Sequence, residues 1–551
     1  MQHSRKSKHS FSSPLSLQHI SIFRFLLLFW LFAVIILSSK PVFSGPLDKV
    51  ITQWEPYLEW SIDNPSFSGN PFDLIATVTF THELSGETHI TEMFYGGGTA
   101  WNFRFTGTKL GIWNFISSSS DTDLDSLGGS VEVLPNNNPQ VTGFVRHQGN
   151  KWAKQVGSTG ELQAFVPQLV MINGPQGYFN NATAVDYEID RFIHEHGFNG
   201  FHMPVTCRWA ELEEQKCTEV DNSDPDLRTF AALELVISKT HAAGGMVHLW
   251  MWGDESRRWT PTVWGINGIE DKRIQRYIAA RLGPLPGWTM GYGFDNWEWV
   301  STSQLQVWHS FMNDHLGWSH FLGARATKNT LEQLYEGLDY SGYEQHRPDY
   351  DKYVETIDKR PEKPSFSEDR FRVRQGSHAY KDYTHEMIRR GLWHSTMAGG
   401  VANIWGDLSQ NDGANSGTDT SASFPHPEWV KTNALFFKDR FQHNLLRCNG
   451  LTDGVCLQSP DKRSYMFYKE ETSSIRLNLS AATASMQAIA VDTTRSYKEI
   501  KIGVLKPRNQ TWGAPYASDW AISLRPAASN PEPPSSATSP APMLHILLDD
   551  Q

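Results

Sequence analysis

A chain of 551 residues has room for about three domains. Its composition, 39% hydrophobic, 20% charged and 12% aromatic, is globular and excludes a disordered or fibrous class. A formal net charge of −11, from 49 basic and 60 acidic side chains, argues against a nucleic-acid partner, which needs a basic surface.

Residues 1–45 read as a targeting segment. Arg5, Lys6, Lys8 and Arg24 precede the apolar run FLLLFWLFAVIIL, and Val42 and Ser44 are the small residues before a cleavage point after Ser44. The run is shorter than about 18 residues, so a signal peptide is expected rather than a spanning helix. The long charged region before it leaves an uncleaved signal anchor as the alternative, and only then would the membrane be a partner. Either way the remainder is expected to be exported: secreted, periplasmic or at the cell surface.

Residues 50–135 predict an N-terminal β-sandwich. The runs DLIATVTFTHE, TEMFYGGGTAWNFRFTG and LGIWNFISSSS are β-rich and divided by Gly, Ser and Asn turns. LPNNNPQ reads as a linker. Over 160–425 short apolar runs alternate with helical stretches. Eight strands are expected, in QAFVPQLVM, FNGFHMPV, MVHLWMWG, GWTMGYGFD, FLGARAT, LDYSGYEQH, KPSFSEDRF and GVANIWGDL. Helical runs follow them, among them LEQLYEG after strand five and PEWVKTNALFFKDRF after strand eight. Repeated βα units of this length predict a central (β/α)₈ TIM barrel in a multidomain α/β protein. A doubly wound sheet competes, but no Gly-rich phosphate turn follows the first strand. Residues 426–525 turn β-rich again, predicting a C-terminal sandwich, and the Pro- and Ser-rich 526–551 reads as a disordered tail. The four cysteines form two close pairs, and disulfides Cys207–Cys217 and Cys448–Cys456 are favoured because short local loops meet easily.

In such a barrel, catalytic side chains stand at the carboxyl ends of strands. Strand two is followed by His202, Arg208 and Trp209, and strand three by His248, Trp250, Trp252, Asp254 and Glu255. Strand four ends with Asp295, Asn296, Trp297 and Glu298. Tyr340, Tyr343, Glu344 and His346 follow strand six, Glu368 and Asp369 strand seven, and Asn403, Trp405 and Asp407 strand eight. Carboxylates, aromatics and histidines in this setting suit sugar hydrolysis. One carboxyl protonates the leaving oxygen, and a second attacks the anomeric carbon or activates water. Flat sugar faces also stack on indoles, and the chain has 21 tryptophans. Trp250 and Trp252 alternate with Leu249 and Met251, one face entering the barrel and the other meeting helices, so at most one of the two indoles is expected to face substrate. Asp254 and Glu255 read as a surface loop beside Arg257 and Arg258. Arg370, Arg372 and Arg374 alternate after Glu368 and would suit a carboxylate or sulfate on the sugar, or form a solvated rim.

The motifs GYGFDNWEW (291–299) and KPSFSEDRF (363–371) resemble the large retaining glycosidase clan whose acid/base follows strand four and whose nucleophile follows strand seven. The N-terminal VTFTHELSG…FYGGGTAWNFRF resembles a domain of unknown function that precedes apiosidase-like barrels. The C-terminal YMFYKEE…AIAVDTT…DWAISL resembles the small collagen-binding-like sandwich that closes such proteins. The resemblance covers most of residues 50–525. It implies Glu368 as nucleophile, Asp295 or Glu298 as acid/base, Trp405 as the indole flooring the sugar site and Tyr343 as a hydrogen-bond partner of the nucleophile. His202, Arg208, Trp250, Trp252, Asn296, Trp297 and His346 join Tyr343 and Trp405 as expected substrate-binding residues. No metal or organic cofactor is implied, and the expected partner is a poly- or oligosaccharide from plants or algae. The rival readings are a non-catalytic carbohydrate-binding or cell-surface protein on a degenerate barrel, and a lyase acting on a uronate with Tyr or His as base.

Overall fold

The computed structural model describes residues 47–214, 217, 223–326, 336–371, 384–406 and 426–527. In Ala76–His82 and Gly111–Ser119 every second side chain is buried, the period of a strand with one covered face. Five strands pair in the order Lys49–Thr52, Gly128–Leu134, Gly111–Ser119, Ala76–His82, Thr88–Glu92, and three in the order Leu58–Asp63, Ala100–Phe105, Phe94–Gly97. Trp60 of the smaller sheet meets Phe115 of the larger at 5.2 Å between ring centroids.

A sheet that the sequence did not announce lies between the expected linker and the first barrel strand. Val145–Gln148, Lys151–Val156 and Glu161–Ala164 form a three-stranded antiparallel sheet. Its Trp152 packs on Phe321 and Tyr340, and its indole N–H donates to the Ser365 carbonyl at 3.0 Å. Ser365 begins a barrel strand, so this sheet closes the amino-terminal end of the barrel.

The barrel strands are β1 (Gln168–Met171), β2 (Gly200–Pro204), β3 (Met246–Trp252), β4 (Trp288–Gly293), β5, β6 (Ser341–Tyr343), β7 (Ser365–Phe371) and β8 (Val401–Trp405). All pair parallel, and β1 joins β8. β5 is split at Ala324. Phe321–Gly323 pairs with β4, Arg325–Ala326 with β6, and the two halves together complete the ring. β3 and β4 are buried at every position, as strands covered on both faces must be. Met171, Met246, Trp250, Phe366, Ala402 and Ile404 fill the interior. Phe201, Met203, Leu249 and Met251 join the helices in the outer core.

The helices are α1 (Ala182–Glu188), which runs into a π-helix (Ile189–His196), α2 (Leu227–Ala242), α3 (Ile269–Leu282), α4 (Thr302–His315), α5 (Tyr350–Lys359), α6 (His385–Met397) and α7 (Pro427–Phe437). Starts are capped as the sequence allows: Ser301 and Gln304 make a reciprocal capping box on α4, and Asp226, Asp349 and Thr384 cap α2, α5 and α6. The helix expected in LEQLYEG lies largely outside the described residues, as do the expected targeting segment and most of the tail. Among the described residues no helix is long and apolar enough to cross a membrane.

The expected C-terminal sandwich is one six-stranded antiparallel sheet among the described residues, in the order Leu446–Arg447, Val455–Gln458, Tyr465–Asn478, Asn509–Pro526, Met486–Asp492, Ile500–Leu505. Its two long central strands slip register between Lys469 and Ser474. One face gathers its own core around Ile475, Leu477 and Trp520, and the other packs Met466 and Tyr468 on Trp393 of α6 and Phe436 of α7. The two disulfides are Cys207–Cys217 and Cys448–Cys456, with Cα atoms 5.0 and 4.9 Å apart. They suggest an extracellular or periplasmic protein.

Candidate active site

Backbone irregularity on β7 creates the centre of the site. Ser367 pairs with Asn403 and Arg370 with Ile404, so Glu368 and Asp369 form a bulge, a device that re-aims side chains beside active sites. Glu368 is fully buried. Its Oε1 accepts from the Trp250 indole at 3.0 Å and faces His248 Nε2 at 3.2 Å. His248 is held from behind by Thr289 Oγ1 at 2.9 Å. Glycines make room for the carboxyl. A Cβ at Gly291 of β4 would overlap Oε1, and one at Gly342 of β6 would lie 2.5 Å from Oε2. Oε2 makes no hydrogen bond of good geometry. Tyr340 stands beside the carboxylate, and its phenol is pushed well above its ordinary pKa, first by burial and then by the charge of Glu368.

A second carboxyl group stands where β4 ends. Asp295 adopts left-handed backbone, φ 50° and ψ 34°, which Asp tolerates better than most residues. It pairs with Arg325 from β5 and accepts from Arg257 Nη2 at 3.0 Å. Arg257 also pairs with Asp254 at 3.0 Å and with Glu298. Three carboxylates thus share one guanidinium. Their proton affinities diverge. Asp254 is raised, by burial first and then by the neighbouring Asp295 charge. Burial pushes Asp295 up too, but Arg325, a hydrogen bond from Asp254 and Arg257 outweigh it and hold it below its ordinary value. The two coupled carboxyls thus shift in opposite directions, Asp254 toward its protonated form and Asp295 toward its charged form.

Arg325 ties the two halves together: Nη1 donates to Asp369 Oδ1 at 2.9 Å and to the Glu368 carbonyl at 3.4 Å. Asn296, fully buried, accepts from the Arg325 backbone N–H at 3.3 Å. His346 lies between Asp369 Oδ2 at 2.9 Å and Glu344 Oε1 at 3.1 Å. Donor atoms of Glu344, His346 and Asp369 all lie within 4.8 Å of one another, the reach of one cation. Arg325 already supplies Asp369 with positive charge. His202, against the Trp250 ring at 4.1 Å, is held neutral by burial first and then by His248, Arg370 and Arg325.

Several expected residues lie elsewhere. Trp405 does not floor the site. It faces the helices, packs on Phe371 at 4.9 Å and donates to Gln168 Oε1 at 3.0 Å, because the alternation on β8 sends Ala402 and Ile404 inward. Tyr343 likewise turns outward among Tyr353 and Ile357 and donates to Gln345 at 2.7 Å, leaving Tyr340 beside Glu368. Trp252, at the end of β3, joins the outer core against Trp264. Asn403 accepts from Tyr353 at 2.8 Å on the outer side of the barrel. Asp254 is part of the Arg257 network rather than only a surface loop. Trp297 is 46% exposed and Trp259, on the loop after β3, 42%. Asp407, Arg372 and Arg374 lie outside the described residues. Sequence reasoning missed Arg325, although a lone cation inside the apolar run FLGARA was a signal, and gave Arg257 only a surface role.

Residues 50–120 match the model of a domain of unknown function, DUF5060. No curated protein matches the chain. Among solved structures, a candidate glycoside hydrolase from Bacteroides vulgatus aligns over 87% of this chain and 99% of its own, at 17% identity and a TM-score of 0.68. A second structure, named a glycoside hydrolase, aligns over 71% and 98% at 12% identity and a TM-score of 0.56. A family 5 glycoside hydrolase from Bacteroides vulgatus aligns over 71% and 94% at 13% identity and a TM-score of 0.54. At these identities the likeness is one of fold: the chain folds as solved glycoside hydrolases do.

Proposed function

We propose that the protein is an exported glycoside hydrolase that cleaves O-glycosidic bonds of a plant or algal polysaccharide with two carboxyl groups and retention of configuration. The observation that carries this reading is Glu368, a fully buried carboxylate inside a barrel, with Oε1 oriented by Trp250 and His248, Tyr340 beside the carboxylate, and no hydrogen bond of good geometry on Oε2. A buried carboxylate whose well-aligned donors gather on one oxygen leaves the other to meet a reacting group. In the reaction Glu368 attacks the anomeric carbon. The leaving oxygen takes its proton from the Asp254–Asp295 pair, through Asp295. Water then breaks the glycosyl ester with Asp295 as base. Glu298, tied to Arg257, positions the sugar.

Secreted protein is screened against plant and algal polysaccharides, with proton NMR of the first product. Retention is expected, and Glu368→Ala falls by at least about three orders of magnitude in kcat. Asp295→Ala keeps activity on an activated aryl glycoside and gains turnover with azide, yielding a retained glycosyl azide. If neither Asp295→Ala nor Glu298→Ala is rescued while Glu368→Ala stays active, the two-carboxylate mechanism is wrong for this protein.

A further inference from the structure

Among the described residues, the most buried arginines are neutralised, with one exception at the barrel mouth. Arg325 holds Asp295 and Asp369, Arg104 holds Glu59 and Glu234, and Arg389 holds Asp519. Arg208 is 7% exposed and, among the described residues, forms no ion pair. Its one side-chain hydrogen bond runs from Nη1 to Thr206 Oγ1 at 3.3 Å, and its buried Nε donates to nothing. Burial lowers its proton affinity, and the more distant charges of Glu214 and Glu213 oppose this. An unpaired buried charge is among the most costly groups a fold can carry.

Its position says where the missing anion belongs. Arg208 lies in the turn Thr206–Trp209 after β2, at the carboxyl end of the barrel. Gly174, in the loop after β1, leaves the notch open: a Cβ there would stand 3.1 Å from Arg208 Cζ and 2.7 Å from Gln176 Oε1. Gln176 Nε2 donates to Asn173 Oδ1 at 3.0 Å, which fixes the amide. Its Oε1 is buried and accepts nothing. The notch therefore offers a guanidinium fork and one neutral acceptor. That set matches an anionic group on a carbon whose neighbour bears a hydroxyl.

We propose that Arg208 and Gln176 form an anionic subsite beside β1 and β2, which takes the carboxylate or sulfate ester of a charged saccharide. The proposal rests on the glycosidase reading of the barrel mouth and names its substrate class.

The test uses the full chain carrying Glu368→Gln, so that nothing is turned over. Calorimetric titration compares matched pairs: sulfated galactan oligosaccharides with their desulfated forms, and oligogalacturonate with its carboxyl-reduced form. In one pair the charged member should bind at least about tenfold more tightly. The added Arg208→Gln should abolish that difference, leave the neutral member unchanged, and be partly restored by Arg208→Lys. The pair that responds identifies sulfate or carboxylate. Without ligand, Arg208→Gln should melt at or above the parent temperature, because the charge removed had no partner. Equal binding within both pairs overturns the subsite. So does a melting temperature lowered by several degrees, which would place the counter-charge of Arg208 inside the protein. Hydrolysis of the same oligosaccharides by the wild-type chain is scored separately, so failure of the glycosidase reading is distinguishable.

Discussion

Two tyrosines three positions apart test how the nucleophile is surrounded. Tyr340 stands beside Glu368 inside the barrel, whereas Tyr343 donates to Gln345 between sheet and helices. Tyr340→Phe is expected to lower kcat by about tenfold or more, as loss of a polar partner at a reacting carboxylate does. Tyr343→Phe should leave kcat unchanged and cost about 1 kcal/mol of stability. Steady-state kinetics with urea unfolding separates the two, and equal kinetic losses would mean the strand faces are misassigned. The Asp254–Asp295 pair makes a second prediction. Asp295→Asn removes the like charge that helps raise Asp254, so the Asp254 carboxyl should titrate at lower pH by carbon-13 NMR. An unmoved titration would mean that the two carboxyls do not share a proton. The sequence showed which residue types follow each strand, and so Glu368, Asp295 and Trp250 were legible. It did not show which way Trp405 and Tyr343 face, since that depends on register, and a one-residue slip exchanges the faces. Arg325 became visible only once the two halves of β5 were placed, and the position of Tyr340 beside Glu368 only once the course of β6 was.

At the scale of elements, apolar runs named all eight barrel strands because each is covered on both faces. The bulge on β7 was not legible, for it depends on pairing with β8 rather than on any local residue. Nor was the sheet at 145–164, whose short strands carry polar residues between turns and whose apolar anchors are few, chiefly Val145 and Trp152. Helix α3 carries a cost that a pH series exposes. Asp271 is fully buried, accepts from the Asn267 N–H at 2.8 Å, and is raised to about 6, by burial above all. The native state therefore holds this proton where the unfolded chain, near an ordinary Asp value, has released it. Stability from this group is full below about pH 4 and lost as pH rises through about 6. The rise of about two units corresponds to roughly 3 kcal/mol at pH 8. Asp271→Asn keeps an acceptor for Asn267 and should melt higher than the wild type at pH 8 but close to it at pH 4. A gain that is the same at both pH values would show that burial of the charge is not its source.

Across the whole molecule, ion pairs join the N-terminal sheets to the barrel so closely that they are expected to melt together. The described residues from Asp48 onward belong to one compact unit. Arg104, on the smaller N-terminal sheet, bonds Glu59 Oε2 at 2.7 Å, reaches across to Glu234 of α2 at 2.8 Å, and donates to the Arg281 carbonyl of α3 at 2.8 Å. Its guanidinium stacks 3.8 Å from the Tyr57 ring centroid. Glu234 is itself held below its ordinary value, since Arg104 and Arg281 together outweigh its burial. Around it, Arg276 and His315 both bond Glu92, Arg273 bonds Asp73, and Tyr277 donates to the Tyr95 carbonyl at 2.6 Å. Removing one member of a buried charge cluster leaves the others unmatched, at about 3–5 kcal/mol. Arg104→Met keeps most of the side-chain volume and removes only the charge and its donors. It should lower the melting temperature of the whole chain as one calorimetric transition, because the lost contacts belong to sheet and barrel alike. Glu59→Gln alters a pair whose acidic side chain is one-third exposed, at 33%, and should cost less than about 1 kcal/mol. If Arg104→Met instead splits the trace into two peaks, with the barrel peak unmoved, the N-terminal sheets are an independent folding unit. A similar loss from Glu59→Gln would place the energy in the exposed pair rather than in the buried bridge to Glu234.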